Sequence, residues 1–220
     1  MKVVKVFVFF GVVGLLGCCE PAHALGVVIN EFLADPASSL AGDANGDGTS
    51  SSSQDEFIEL VNVGGSVIDL SGWTLADSVQ TRHIFSASTF LNPNEFLVVF
   101  GGGSPSLPGV HWQIASTGTL SLNNSGDQIS FFDQMNNLVD QVIYGSSAGN
   151  DQSLTRNPDG FGTMFEQHAT IPAAGGAVFS PGRTINGQLA LSVIPEPITV
   201  LSFGLGALGL MRYRKKKVNV

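Results

Sequence analysis

The chain has 220 residues, with 10 Lys and Arg against 18 Asp and Glu, for a formal net charge of −8. Seven cations lie near the two ends (Lys2, Lys5, Arg212, Arg214, Lys215, Lys216, Lys217), so residues 25–194 hold three (Arg82, Arg156, Arg183) against sixteen acids, a net of −13 with no lysine. Phosphate backbones are held mainly by Lys and Arg, so this composition excludes nucleic-acid binding; it suits solubility outside the cell and attraction of divalent cations.

The first segment reads as an export signal. Lys2 and Lys5 form a positive n-region, Val6 to Gly17 an apolar h-region, and Ala22-His23-Ala24 a small-x-small cleavage site. Signal peptidase acting after Ala24 removes residues 1–24 and leaves Leu25 as the new N-terminus. Leu15-Leu16-Gly17-Cys18 also resembles a lipobox, in which Cys18 would be lipidated and kept. Both cysteines, Cys18 and Cys19, fall inside the removed segment, so no disulfide framework is expected in the remainder.

Residues 25–194, 170 in number, are enough for one domain plus linker. Short apolar or alternating runs recur about every ten residues, and none sustains a 3.6-residue period. Strands are predicted at 27–33, 56–63, 67–70, 73–77, 83–85, 95–100, 111–115, 119–122 (TLSL), 127–132, 138–144 and 152–156. Val, Ile, Phe and Thr favour pleated, half-buried surfaces. Dense Gly, Asn, Asp and Pro punctuation between the runs points to an all-β antiparallel sandwich or barrel. Trp73 sits between Leu70 and Leu75, where it can bury against an opposite sheet. Gly72 lets the chain turn tightly into that strand.

The order of VVINEFLADP, DEFIELVN, VIDLSGWTLAD, LNPNEFLVVF and LNNSGDQISFFDQMNNLVDQVIYG resembles the lamin-tail domain, an immunoglobulin-like β-sandwich. The match spans about residues 27 to 160 and DLSGWTL is its most diagnostic piece, so residues 25–160 are expected to form the sandwich. The resemblance implies an exported module and little about chemistry, since bacterial members are often joined to enzymes or adhesive domains.

One loop carries recognisable chemistry. Asp43-Ala44-Asn45-Gly46-Asp47-Gly48-Thr49 matches the D-x-N-x-D-G opening of a calcium loop, in which oxygens at alternate positions converge on one ion. The twelfth position from Asp43 is Gln54 rather than Glu, so Asp55 or Glu56 would have to close the site. Asp35 is a further oxygen donor nearby. Calcium through Asp43, Asn45, Asp47, Thr49, Asp55 and Glu56 therefore stands beside a second reading, an Asx-rich solvated turn.

Enzymatic signals are weak. Gly145-Ser146-Ser147-Ala148-Gly149 fits G-x-S-x-G, yet a nucleophile elbow needs a following helix and another β segment comes next. His83, His111 and His168 are isolated, without HExxH or H-x-H spacing. Gly101-Gly102-Gly103 precedes Ser-Pro rather than a helix and cannot present amides to phosphate. No catalytic residue is assigned, and a hydrolase-like enzyme remains the alternative to a binding module.

Residues 161–194 are Gly-, Ala- and Pro-punctuated and read as a closing strand or lobe, then linker from 180. Residues 195–220 then give Pro195-Glu196-Pro197, a 14-residue apolar run from Ile198 to Met211, and five cations between Arg212 and Lys217. As a helix the run would extend about 21 Å, short of a hydrocarbon core of about 30 Å. The stems of Arg212 and Arg214 can snorkel to lengthen it, and Lys215 and its neighbours hold that end in the cytoplasm. This arrangement resembles the PEP-CTERM sorting signal of Gram-negative bacteria, which implies an exosortase-type membrane protease acting near the tripeptide. The expected product is a non-catalytic module at the periplasm, outer surface or extracellular matrix, binding exopolysaccharide or a surface protein. A lipoprotein held through Cys18 is the other alternative.

Overall fold

The computed structural model describes residues 26–189 and is all-β. Its longest strands are β1 (Val27–Leu33), β2 (Phe57–Asn62), β7 (Phe96–Phe100), β9 (Asp127–Phe132) and β10 (Leu138–Tyr144). Shorter ones are β3 (Ile68–Asp69), β4 (Thr74–Ala76), β5 (Thr81–Ile84), β6 (Phe90–Leu91), β8 (Trp112–Ile114), β11 (Leu154–Arg156) and β12 (Phe165–Gln167). A six-stranded sheet in the order β12-β11-β1-β2-β7-β8 faces a four-stranded sheet in the order β10-β9-β4-β5, and β3 pairs with β6. This is the expected immunoglobulin-like sandwich. One pair departs from antiparallel order: β8 runs parallel to β7, with Val98 opposite Trp112. A parallel neighbour needs a crossover, and residues 101–111 provide it.

The space between the sheets is filled by alternate residues of both. Ile29, Phe32, Ile58, Leu60, Leu97 and Val99 come from the large sheet, and Leu75, Ile129, Phe131 and Val142 from the small one. Trp73 is buried with its ring 5.2 Å from that of Phe131. Gly72, at φ +76°, donates its N–H to Phe85 O as the chain turns into that strand.

β1, β2 and β7 are buried along their whole length rather than at every second residue. The cause is a third layer. The 34–56 excursion, the 101–111 crossover and residues 177–185 lie over the outer face of the large sheet. There Leu33, Ala44, Phe57, Val98 and Phe100 pack with Leu107, Val110 and Phe179. Strands covered on both faces read as continuous apolar runs, as EFLVVF does.

Three expectations are corrected. TLSL (119–122) forms no strand: Leu120 and Leu122 reach the inter-sheet core from an irregular segment in which Ser121 adopts φ +53°. The sandwich does not end at 160, because β12 pairs with β11. Nor does linker begin at 180, since Ser180 and Ile185 are both buried on the sheet. The parts expected as signal peptide, membrane helix and basic tail lie outside the described residues. Among the described residues no helix is long and apolar enough to cross a membrane.

Candidate functional site

The acidic loop folds as a chain of Asx turns. Asp43 Oδ1 accepts the N–H of Asp47 at 3.1 Å, and Asp43 Oδ2 that of Gly48 at 2.9 Å. Asn45 Oδ1 also accepts from Asp47 N, and Asp47 Oδ1 accepts from the N–H and hydroxyl of Thr49. The Gly101–Gly103 segment closes over this loop. Gly103 lies at φ +80°, and a Cβ there would collide with the Asn45 amide and the Asp47 carboxylate. Asp55 folds back, accepting from Asn45 N at 3.0 Å and Ser51 N at 2.7 Å. Hydrogen bonding to Thr49 and Ser104 holds the Asp47 carboxyl below the ordinary range, whereas burial and the neighbouring Asp43 raise that of Asp55.

Glu56 does not join this group, which corrects its place among the six expected ligands. It precedes Phe57 in the strand, so it points to the opposite face from Asp55, toward the mouth of the inter-sheet core. Its surroundings there are the Ser121 and Leu122 amides, Arg82 and Asp127. Arg82 is itself paired with Asp77 at 2.5 Å. Glu56 Oε2 and Tyr144 Oη are both buried without a hydrogen-bond partner among the described residues. Among those residues, no three His, Cys, Asp or Glu side chains gather where they could hold a metal ion.

Burial pushes the Glu56 carboxyl up to about 8, against the pull of the Leu122 and Ser121 amides and the Arg82 charge. The folded state thus prefers Glu56 neutral. Its stabilising contribution is complete below the ordinary 4.5 and is lost as pH rises toward 8. Thermal melts should accordingly give a lower Tm at pH 9 than at pH 5, and Glu56→Gln should reduce that difference. A wild-type Tm that rises with pH over this interval would contradict the assignment.

A second group was not read from the sequence. Glu31 and Glu59 are opposite one another in the β1–β2 register and face the covered outer side. An irregularity between Ile29 and Glu31 puts Asn30 on that side as well. Glu31 Oε1 accepts from Ser153 Oγ at 2.6 Å and Ser180 N at 2.9 Å, and Oε2 from Ser180 Oγ at 2.8 Å. Glu59 Oε1 accepts from Asn30 Nδ2 at 2.8 Å and Oε2 from Gly182 N at 2.6 Å. Asp159 accepts from Asn30 Nδ2 and Ile185 N. The ring of His168 lies 2.8 Å from Ala177 O through Nδ1 and 2.9 Å from Ser180 Oγ through Nε2. Burial raises the Glu31, Glu59 and Asp159 carboxyls. The one sequence signal was an acid inside each of two apolar runs, NEF and IEL.

Among the described residues, the other histidines pair with polar side chains, His83 with Gln113 at 2.9 Å and His111 with Glu95 at 3.0 Å. Ser146–Ala148 forms a single 3-10 turn, so the G-x-S-x-G run opens no α-helix. Cys18, Ala22, Ala24, Pro195, Glu196, Pro197, Arg212, Arg214 and Lys215 lie outside the described residues.

Two family models match this sequence. The Lamin Tail Domain model covers residues 20–146, and the PEP-CTERM protein-sorting motif covers residues 193–216. No curated protein matches it. The first match takes in 127 of 220 residues, and β11, β12 and residues 177–189 extend the fold beyond it. The chain belongs to the Lamin Tail Domain family, and it carries a PEP-CTERM protein-sorting motif that marks it for export.

Proposed function

We propose that this protein is a non-catalytic module delivered to the cell surface or extracellular matrix, where it binds matrix exopolysaccharide or a surface protein. The observation carrying this reading is the pairing of a lamin-tail sandwich with a C-terminal sorting motif in one chain. Signal peptidase releases residues 1–24, and an exosortase-type protease acts at Pro195-Glu196-Pro197 once the apolar run has entered the membrane. The net charge of −13 over residues 25–194 fits a role in solution outside the cell. The test is cosedimentation of the purified exported protein with exopolysaccharide isolated from the producing cells. Sedimentation with the polymer is expected, and protein left wholly in the supernatant would overturn the matrix reading.

The Asp43–Thr49 turns favour a further part of this proposal, calcium held by the loop. The donors are all oxygen, as that ion requires; Asp43, Asn45 and Asp47 sit in one turn closed by Gly48 at φ +90°, and Asp55 is tied to it through Asn45 N. Glu56 is not part of the set. Calcium at about 100 times Kd would add about 2.7 kcal/mol to the folded state. Residues 25–194 should then melt several degrees higher in calcium than in chelator. Asp43→Ala with Asp47→Ala should abolish the difference, and an unchanged wild-type Tm would leave only a solvated turn.

A further inference from the structure

Residues 177–189 lie across the buried carboxylates like a strap. Its backbone is held at three points, each a carboxylate accepting an N–H: Ser180 by Glu31, Gly182 by Glu59 and Ile185 by Asp159. Phe179 adds an edge contact on Phe57, ring centroids 6.5 Å apart. The crossover leaves no spare room, because a Cβ on Gly182, at φ +73°, would strike the Val110 side chain. We propose that Glu31, Glu59 and Asp159 form a latch that keeps residues 177–189 closed in acid and lets them go in alkali, setting the length of free chain ahead of the sorting motif.

The charge balance gives the direction. The groups meeting here are Glu31 from β1, Glu59 from β2, Asp159 from the turn after β11 and His168 from the 3-10 turn His168–Thr170, with Arg183 on the strap donating to Gly187 O instead. Ala177 O can only accept, so His168 Nδ1 carries a proton. Ser180 Oγ then relays between Nε2 and Glu31, and one more proton is shared along that line. Even a charged imidazole offsets only one of three carboxylates. Complete ionisation would leave two buried negative charges side by side, which is costly without partners. Raised carboxyls hold their stabilising effect below the ordinary carboxylate range and lose it as pH climbs. The cluster titrates as a unit rather than residue by residue.

Five residues separate Leu189 from Pro195, so with the strap closed the motif reaches at most about 20 Å from the domain. Freeing the chain from Ala177 makes that eighteen residues and about 60 Å. The coupling to sorting rests on the function proposed above; the latch itself does not.

Hydrogen exchange on the detergent-solubilised full chain, corrected for intrinsic rates, tests the latch. Protection of residues 177–189 should fall about tenfold or more beyond any fall in β2 between pH 5 and pH 9, a free-energy change of about one pKa unit. Glu59→Gln should remove most of this dependence; should that variant not fold, Asp159→Asn must reduce it in the same sense. Gly182→Ala should leave the strap unprotected at both pH values. Constant wild-type protection, a fall shared equally by β2, or a folded carboxamide variant with full pH dependence would each overturn the latch. In cells, Gly182→Ala should speed loss of the basic tail. An unchanged rate would overturn the coupling and leave the latch standing, whereas no tail loss in either chain would overturn the sorting reading instead.

Discussion

Phe57→Ala should destabilise the domain about as severely as Phe131→Ala, each by about 3–5 kcal/mol. Phe131 belongs to the space between the sheets, against Trp73 at 5.2 Å and Phe85 at 6.0 Å between ring centroids. Phe57 is on the other side of the large sheet, against Phe100 at 5.8 Å and Phe179 at 6.5 Å. A plain two-layer sandwich would leave that side to solvent, and truncation there would cost little. Full burial of both rings makes the losses comparable. Urea denaturation would show a lower midpoint at constant m for both variants. A Phe57→Ala loss below about 1 kcal/mol, the range of ordinary surface changes, would remove the third layer from the account.

The second large effect concerns sorting. Glu196→Ala, or deletion of Arg212 to Lys217, should leave the precursor in the inner membrane. The 14-residue apolar run is short for a bilayer, so its position depends on what flanks it. In the sorting proposed above, five cations would anchor the cytoplasmic end, each being expensive to draw into hydrocarbon. Removing them would let the run slide or slip free, and the tripeptide would lose a fixed depth at the water edge. Glu196→Ala leaves the anchor intact and removes only the carboxylate between the prolines. Immunoblots of membrane and culture fractions should show full-length chain accumulating in both mutants. Mobility and secretion identical to wild type would sink the idea.

Much of the fold was legible because local pattern and packing agree. DQISFF and LVDQVIY alternate on the four-stranded sheet, where one face meets the core, and both strands form with the predicted bounds. Gly72 and Trp73 carried their roles in local geometry. What was illegible depends on distant chain. Phe90–Leu91 is a two-residue strand that exists only because Ile68 and Asp69 pass beside it. TLSL has strand composition, yet Ser121 at φ +53° breaks its extended run. Trp112–Ile114 alone could not reveal its parallel pairing with β7, which follows from where the 101–111 crossover lands.

The candidate sites divide in the same way. The D-x-N-x-D-G turn is a local motif and its Asx bonding forms locally. Glu56 was misplaced because strand alternation, one residue from Asp55, sends it into the other layer. Glu31 and Glu59 gained meaning only when residues 153, 159, 168 and 180–185 came over them. A segment rich in Gly, Ala and Pro looks like linker in one dimension. Here its backbone amides supply the donors that two buried carboxylates need.

The intact mass of the exported protein reads both processing events at once. A mature chain beginning at Leu25 and ending near Pro195–Pro197, without the basic tail, is expected. An exported form that still carries Arg212 to Val220 would contradict that expectation.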